Sequence, residues 1–450
     1  MGVHRIRRGL DLPLHGAPTG PIEPAPPGLA VALLGADYPG LRPRMLVDVG
    51  AEVARGQPVF VHKPTPELRF VAPAAGRVVA IHRGPKRVFE SLVIELSAAE
   101  RSKDASAVRH ATLPPPDDVT ELLLASGLWT ALRERPFSRV ANPRTRPRSI
   151  FVTATDSHPL APPIEPMVVG REDDLRAGLR ALAPLTDGPV FVCTHPGTAL
   201  ELPAGNRFRL EQFEGPHPAG TVGVHIHRLD PVDRDRAVWH IGIQDVRAIG
   251  TLVSTGRLDV RRVVSVAGPA CTRPRLVRTR LGADLSVLCA GTLHPGDVRV
   301  LSGSVLSGRT AMGESTGFLG RYHQQVSALP EQAEREFLGW LSPGRDKFSI
   351  TRTFVSWLRP RRRFSLGTST GGSARPIVPI GVYERVLPMD LEPTFLLKAL
   401  MMRDAEWAER LGCLELDEED LALCAFVDPG KANFGAHLRD VLTQLENDAA

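Results

Sequence analysis

The sequence predicts a multi-domain α/β protein, and three observations support this fold class. The chain has 450 residues, enough for about three domains of ordinary size. Its 41 glycines and 41 prolines indicate many turns between short elements, as in proteins rich in strands. In the middle of the chain, apolar runs typical of buried strands flank a segment with helical character. A hydrophobic content of 42% and a charged content of 23% exclude a disordered chain.

Charge and cysteine usage narrow the function classes. Lysine and arginine number 55 against 50 acidic residues, a net charge of +5, and only six of the 55 are lysines. Because these charges are scattered and aromatic residues make up only 5%, we expect no nucleic-acid partner. The five cysteines are far apart and form no C-x-x-C pair, which indicates reduced thiols rather than a zinc or iron–sulfur site. No apolar run approaches the roughly 18 residues of a membrane span.

Residues 1–100 are predicted to form a small β domain. The runs 45–60 and 70–81 alternate apolar and polar residues and have glycines at their turns. Together they resemble the barrel-sandwich hairpins of biotinyl and lipoyl carrier domains, which carry a cofactor on a hairpin lysine. Lys63 is the only candidate, but it lacks the flanking Met or Asp and follows Gly56 too closely. We therefore expect a scaffold domain with a solvated lysine.

Residues 101–257 are predicted to form a connector and a Rossmann-like α/β domain. A short helix is expected from Asp117 or Asp118, whose carboxylate caps it, to Ser126. The strand–helix–strand order of the domain rests on a strand at 150–154, a helix at 173–182 and a strand at 190–194. Neither strand is followed by a glycine-rich phosphate loop, so no nucleotide site is expected.

Residues 258–310 are predicted to form a compact β-grasp module of SLBB-like type, and residues 311–450 a mixed α+β region. Four short strands are expected in the β-grasp module, at RRVVSVAG, PRLVRTR, LSVLCAG and VRVLSGSVL. In the last region, a helix is expected at about 329–341. A longer helix is expected to begin at Pro393, a good first-turn residue, and to end at Gly412.

Ten sequence islands follow one another along the chain and together resemble one family. They are RRGLDLPLHGAP (7–18), ALLGADYPGLRPRMLVDVG (32–50), FVAPAAGRVVAIHRGPKR (70–87), SGLWTALRERPFSRV (126–140), GPHPAGTVGVHIHRLDP (215–231), VWHIGIQDVRAIG (238–250), LSGSVLSGRTA (301–311), GRYHQQVS (320–327), VPIGVYERVLPMD (378–390) and LGCLELDEEDLALCAFV (411–427). No single island is diagnostic, but in this order they resemble the A subunit of the sodium-translocating NADH:quinone reductase over essentially the whole chain.

The resemblance implies a peripheral subunit on the cytoplasmic side of the bacterial inner membrane. It implies a six-subunit complex that passes electrons from NADH to ubiquinone and exports sodium, with this chain at the quinone-reducing end. NAD, flavins and iron–sulfur centres are then expected on the partner subunits, and this chain is expected to hold no covalent cofactor and no catalytic, cofactor-binding or metal residue of its own.

Two alternatives to this role stay open. One is an interaction scaffold that makes no contact with quinone. The other is the C subunit of an Rnf-type complex, which carries C-x-x-C-x-x-C-x-x-x-C clusters and glycine-rich flavin loops. This chain has neither feature, so the sequence favours the A subunit.

One residue departs from the family pattern. Members usually read F-V-C-P-G-K near the C-terminus, whereas this chain has Asp428 where the cysteine is expected. A carboxylate cannot take over a thiolate's redox or soft-metal chemistry. Any such role of that cysteine is therefore lost here, while the scaffold interpretation is unaffected.

Four histidines within 24 residues give the clearest candidate site. We expect His217, His225 and His227, together with Gly220, to lie near the quinone, and His240 is close by in sequence. On the strand expected here, His225 and His227 share one face. Imidazole N–H groups donate hydrogen bonds to carbonyls and relay protons. The alternatives are imidazoles that only bond the backbone and, with no carboxylate or cysteine at ligand spacing, a less favoured metal site.

Three other motifs have plain structural explanations. The G-x-S-x-G run at 313–317 resembles a hydrolase elbow around Ser315, but no helix is expected after it. The acidic run at 415–420 suits a solvated helix start better than a sodium site, because the helix dipole favours carboxylates there. Arginines 359 and 361–363, next to Trp357, are expected in a solvated loop or against anionic lipid.

Overall fold

The computed structural model describes residues 2–102, 108–113, 117–332, 341–351 and 353–449. The strands are β1 Gly2–Arg5, β2 Ile22–Pro24, β3 Ala30–Leu34, β4 Pro43–Met45, β5 Glu52–Val53, β6 Pro58–His62, β7 Arg69–Val71, β8 Gly76–Arg83, β9 Phe89–Leu96, β10 Arg133–Arg135, β11 Arg139–Val140, β12 Ile150–Ala154, β13 Val190–Thr194, β14 Phe208–Glu214, β15 Val238–Gly242, β16 Arg261–Ala267, β17 Arg275–Arg280, β18 Val298–Ser302, β19 Arg309–Thr310 and β20 Gln325–Pro330. The helices are α1 Ala98–Arg101, α2 Val119–Ser126, α3 Glu165–Val168, α4 Glu172–Leu182, α5 Val222–Leu229, α6 Ile243–Thr255, α7 Leu285–Cys289, α8 Gly313–Thr316, α9 Val382–Val386, α10 Pro393–Met402, α11 Ala405–Arg410, α12 Ala422–Val427 and α13 Phe434–Ala449.

Strands β3 to β9 form two small antiparallel sheets that pack on each other. One sheet has the order β3-β9-β8-β5 and the other β4-β6-β7. Apolar side chains from both, among them Phe60, Phe70 and Ile94, are buried between them. The turns predicted from glycine are present, since Gly50 and Gly56 both adopt positive φ, which glycine tolerates without strain.

A seven-stranded sheet with the order β1-β14-β13-β12-β15-β10-β11 forms the second layer. Its strands β12 and β13 and its helix α4 confirm the predicted strand–helix–strand unit to within one residue. The predicted connector helix is confirmed as α2, and the side chain of Asp118 caps it by accepting from the backbone N–H groups of Thr120 and Glu121. Continuous apolar runs mark these parallel strands because both of their faces are buried.

Different helices cover the two faces of this sheet. On one face α4 packs tightly against α6, because Gly250 leaves no side chain between the helices and a Cβ there would collide with the backbone oxygen of Asp174. On the other face, α5 and the C-terminal helices share one core with the sheet, which includes Phe151, Tyr383 and Phe434. The C-terminal region is therefore fixed on the sheet.

The third sheet has the order β19-β18-β20-β16-β17-β2. Three of the four strands predicted for the β-grasp module are present as β16, β17 and β18. The remaining predicted strand, LSVLCAG, was wrong, because this segment forms helix α7. Asp284 starts this helix by accepting a hydrogen bond from the backbone N–H of Ser286. The N-terminal segment joins two sheets, since β1 pairs with β14 and β2 pairs with β17.

The long helix predicted from Pro393 to Gly412 begins and ends as expected but is interrupted. Arg403 adopts a left-handed φ of 57° and ends α10. Asp404 then caps α11 by accepting from the N–H of Trp407. Most of the helix predicted at 329–341 falls on residues outside the described part of the chain, and its first two residues belong to β20.

Candidate functional site

A cleft of about 150 Å³ lies at the carboxyl end of the seven-stranded sheet. Strand order reverses at β12, because β13 and β14 lie on one side of it and β15 on the other. In open α/β sheets, ligands bind outside the carboxyl ends of the strands at such a switch point. Thr155 and Asp156 follow β12 and line the cleft together with Gly242 at the end of β15. Residues next to or within β20, such as Arg321 and Gln325, form the opposite wall.

His158 and Asp156 form an ion pair in this cleft. The Asp156 Oδ1 atom lies 2.8 Å from His158 Nδ1 and accepts from the His158 backbone N–H at 2.8 Å. Burial alone would lower the pKa of His158, but the Asp156 carboxylate outweighs it and raises the pKa to about 9. The imidazole is therefore protonated at neutral pH, and Nδ1–H donates to Asp156. The Nε2 atom is buried and has no hydrogen-bond partner within the described ranges, so its N–H is an unsatisfied donor.

The loop that carries His158 is clamped to the third sheet. The side chain of Gln325 in β20 donates to the carbonyl of Pro159 at 2.9 Å. The hydroxyl of Ser265 in β16 donates to the carbonyl of Leu160 at 2.8 Å. The position of the imidazole therefore depends on the packing of two sheets against each other.

Ser157 connects the same loop to His217 and Gly220. Its hydroxyl oxygen accepts from the Gly220 backbone N–H at 2.8 Å, and the hydroxyl shares a hydrogen bond of 3.0 Å with His217 Nδ1. Burial, with the nearby charge of His158, holds the pKa of His217 well below its usual value, so this ring is neutral. A Cβ at Gly220 would lie 2.5 Å from the Ser157 nitrogen, which only glycine avoids.

Charges elsewhere in the cleft are balanced inside the protein. Arg262 and Arg321 both pair with Asp245, and the Arg321–Asp245 contact measures 2.8 Å. Burial alone would raise the pKa of Asp245, but these guanidinium groups hold it below its usual value. Arg133 lies 4.9 Å from the centre of the Tyr322 ring. The cleft is thus polar without a strong excess of positive charge, which suits a neutral hydrogen-bond acceptor better than a polyphosphate.

Comparison with known proteins gives the family. Three family profiles match the chain: "NqrA N-terminal barrel-sandwich hybrid domain" at residues 4–97, "NqrA second alpha/beta domain" at 115–258 and "NQRA C-terminal domain" at 263–313. The A subunit of the Na(+)-translocating NADH-quinone reductase of Hahella chejuensis is 49% identical over 448 residues, and that of Serratia proteamaculans is 50% identical over 450 residues. In both cases 99% of each chain is covered. The chain belongs to this family of A subunits.

Membership of the family confirms the predicted fold class, with its barrel-sandwich, α/β and SLBB domains. Among solved structures, an NAD+-reducing [NiFe]-hydrogenase matches at 16% identity with a TM-score of 0.38. That match covers 74% of this chain and 64% of the hydrogenase chain, and it is too weak to support an argument.

The predicted histidine strand was wrong, because His225 and His227 lie on helix α5. Two residues apart on a helix, they lie about 200° apart around its axis instead of sharing a face. His225 is buried against Phe213, with ring centres 4.1 Å apart, and burial lowers its pKa to about 3. Its neutral ring hydrogen-bonds the carbonyl of Ala219 through Nε2 at 3.1 Å. His225 therefore supports the local fold.

His227 ties α5 to the C-terminal region. The backbone N–H of Asp390 donates to His227 Nε2 at 2.9 Å, so Nδ1 carries the proton and donates to Glu415 at 2.7 Å. Of the four residues predicted near the quinone, only Gly220 lines the cleft, and His217 reaches it through Ser157. His240, on β15, also lines the cleft, and burial holds its pKa well below the usual value.

The prediction of a solvated helix start at the acidic run was wrong. Helix α12 begins only at Ala422, and Asp417 and Asp420 are buried against arginines from β10 and α13. Arg133 and Arg439 contact Asp417 at 2.8 and 3.2 Å. The other buried partnership, between Arg135 and Asp420, measures 3.2 Å. Burial would raise the pKa of Asp417, but the arginines hold it well below the usual value.

Asp428, at the position where the sequence resemblance implies a cysteine, has a structural role. Its carboxylate is buried and accepts from the Tyr383 hydroxyl at 2.8 Å. It also accepts from the backbone N–H groups of Gly430 and Ala432, at 3.1 and 2.9 Å. The side chain therefore fixes the turn that connects α12 to α13.

Lys63 and Ser315 lack the settings that their motifs require. Lys63 is exposed in the connection between β6 and β7. Ser315 lies inside the four-residue helix α8, whereas a hydrolase nucleophile precedes a helix at a sharp strand-to-helix turn. All five cysteines are buried, and none of them forms a disulfide. Across the described ranges, no group of three or more His, Cys, Asp or Glu is placed to hold a metal ion.

The arginine cluster lies on the surface, next to a short 3₁₀ helix at Val355–Leu358. Arg359, Arg361 and Arg363 are exposed, as the sequence predicts. Within the described part of the chain, no helix is long and apolar enough to span a membrane.

Proposed function

We propose that the chain is the A subunit of a six-subunit Na+-translocating NADH:quinone reductase and lies peripherally on the cytoplasmic side of the bacterial inner membrane. The complex oxidises NADH, reduces ubiquinone and exports sodium, with the flavins and iron–sulfur centres on its partners. The observation that carries this proposal is the identity of 48–50% to curated A subunits over 99% of both chains. At that identity and coverage, a change of role would require a change of partners that nothing in the sequence indicates.

Within this role, the switch-point cleft is our proposed contact with the quinone headgroup. Reduction of a quinone adds two electrons, which here come from partner subunits, and two protons. His158 offers a protonated imidazole whose Nε2–H lacks an acceptor, and it lies in the cleft. Such a group donates a hydrogen bond to a quinone carbonyl and supplies a proton as the quinol forms. Gly220 lets the turn before α5 approach the loop that carries His158. His217 orients Ser157, which lies between Asp156 and His158 in that loop.

A tagged pull-down from detergent-solubilised membranes tests the assignment to the complex. We expect co-purification of flavin-bearing membrane subunits, and sodium-stimulated NADH:quinone reduction that disappears when this chain is stripped off and returns when it is added back. Recovery of the chain without membrane partners would contradict the proposal. In that case the family likeness would reflect ancestry only.

Replacement of His158 tests the quinone contact in the purified complex. His158→Gln keeps a hydrogen-bond donor but cannot carry the proton, so we expect turnover to fall about 100-fold with intact subunit composition. His294→Gln, at an exposed histidine outside the cleft, serves as the matched control and should leave turnover unchanged. Equal turnover of the two variants would favour a scaffold that makes no contact with quinone.

A further inference from the structure

Charged residues are scattered along most of the chain, but one short segment carries a local excess of positive charge. Residues 341–364 contain seven lysines and arginines but a single aspartate, a net charge of +6. The whole chain has a net charge of +5, so all the other residues together carry a net charge of −1. This segment therefore accounts for the basic character of the protein.

Apolar side chains are exposed within the same segment. On the 3₁₀ helix at Val355–Leu358, Val355 is 42% exposed, Trp357 50% and Leu358 63%. The exposed Arg359 and Arg361 follow directly. Water-exposed tryptophan and leucine next to arginines are typical of surfaces that enter the headgroup region of a membrane, where the ring lies at the interface and the charges meet lipid phosphates.

Contacts within the segment join its two ends to each other. The N–H of Val355 donates to the carbonyl of Pro343 at 3.0 Å, and the Ser356 hydroxyl donates to the carbonyl of Lys347 at 2.6 Å. These bonds place the stretch that contains Arg345 alongside the 3₁₀ helix. The ring of Phe348 packs near Phe364 and Phe426, at 5.7 and 6.3 Å between centres. The exposed charges are thereby attached to the C-terminal fold.

We propose that this surface, formed by Arg345, Val355, Trp357, Leu358, Arg359 and Arg361, docks on the anionic surface of a lipid bilayer. An acidic protein segment would satisfy the arginines but would leave the exposed parts of Trp357 and Leu358 in water. A bilayer satisfies both, because its phosphates lie directly above an apolar layer. The docking surface goes beyond the proposed function and does not depend on it, since the isolated chain carries every group involved.

Vesicle co-sedimentation of the full chain tests the proposal. The probes are vesicles with about one-third phosphatidylglycerol, whose charge attracts basic residues, and vesicles of phosphatidylcholine alone. We expect binding to the first and little to the second, with release at high salt as the charges are screened. Since each basic residue contributes about fivefold to partitioning, Arg345→Ser, Arg359→Ser and Arg361→Ser together should weaken binding about 100-fold. Arg362 and Arg363 are left intact because they contact Asp346 and the Leu14 carbonyl.

A second triple variant matches the change in charge at other sites. Arg69→Ser, Arg180→Ser and Arg257→Ser remove three exposed arginines from elsewhere on the chain and should retain nearly full binding. Trp357→Ala, which leaves the charge unchanged, should weaken binding about threefold or more, because an interfacial ring is lost. Equal losses in the two triple variants, or no preference for phosphatidylglycerol, would overturn the proposal. The proposal would also be overturned if the chain bound a polyglutamate peptide as tightly as it binds the vesicles and if Trp357→Ala left that peptide binding unchanged.

Discussion

Asp156→Asn is the substitution that most directly tests the electrostatics of the cleft. Asp156 holds His158 in its protonated form through the 2.8 Å contact with Nδ1. Asparagine has nearly the same shape and can still accept from the His158 backbone N–H, so the loop should keep its course. Only the negative charge is lost. Burial is then opposed only by the more distant charges of Glu419 and Asp420, and we expect the pKa of His158 to fall well below 9.

The size of the effect follows from that pKa. His158 changes from 6.5 in the unfolded chain to about 9 in the folded chain, and one pKa unit corresponds to about 1.36 kcal/mol. The side chain is only 12% exposed, so solvent screens the pair weakly. The pair then contributes about 3 kcal/mol to the free energy of unfolding. Because the folded pKa is the higher one, this contribution is complete below pH 6.5 and is lost as the pH rises through 9.

Urea unfolding of the two proteins at pH 6 and pH 10 measures this contribution. We expect Asp156→Asn to lower the free energy of unfolding by about 3 kcal/mol at pH 6 and by little at pH 10. Asp235→Asn, at an exposed aspartate, should give the same small difference at both pH values. A loss from Asp156→Asn that is equal at pH 6 and pH 10 would refute the reasoning. An NMR titration that places the wild-type His158 below pH 7 would refute it as well.

Substitutions at two further residues test the contacts around the cleft and the C-terminal turn. Asp428→Ala removes the acceptor of the buried Tyr383 hydroxyl and of two backbone N–H groups, and should lower the free energy of unfolding by about 3 kcal/mol in urea. Asp428→Asn, which keeps one oxygen acceptor, should cost less, and equal losses would argue against these bonds. Gly220→Ala places a methyl group 2.5 Å from the Ser157 nitrogen and should cost about 1–3 kcal/mol by thermal unfolding. An unchanged melting temperature would mean that the loop yields freely.

Local signals in the sequence were sufficient for much of the fold. The strands at 150–154 and 190–194 are apolar throughout because both of their faces are covered, and that pattern needs no knowledge of the partners. The capping carboxylate of Asp118 marked the start of α2 in the same way. These features lie within a few residues of the element that they define.

The errors arose where distant contacts decide the structure. In α5, Val222, Val224 and Ile226 recur at every second position, which is the period of a strand. A helix tolerates this pattern here because residues 222–226 are all buried. Asp417 and Asp420 looked solvated because their arginine partners lie in β10, more than 280 residues earlier in the chain, and in α13. No pattern within either run carries that information, since the pairing exists only after the sheet and the C-terminal region pack together.

Sequence reasoning missed the Asp156–His158 pair, although a usable signal was present. The polar run T-D-S-H follows directly after the apolar strand β12, and polar residues at the carboxyl end of a parallel strand are where α/β sheets place ligands. The histidine-rich run drew attention because of its composition. Of its four histidines, His240 alone lines the cleft, and His217 supports the wall through its hydrogen bond with Ser157. Position relative to the sheet was therefore more informative than the density of imidazoles.

The geometry of the cleft depends on all its surrounding elements at once. Arg262 and Arg321 come from β16 and from the segment before β20, while Asp245 lies on α6, and all three side chains are buried or nearly so. A buried charge without its partner is costly, so these elements stabilise one another. The same two strands clamp the loop that carries His158. A partner that shifted the third sheet against the α/β sheet would therefore move the His158 imidazole and change the shape of the cleft at the same time. The packing of neighbouring subunits could thus alter the proposed quinone contact directly.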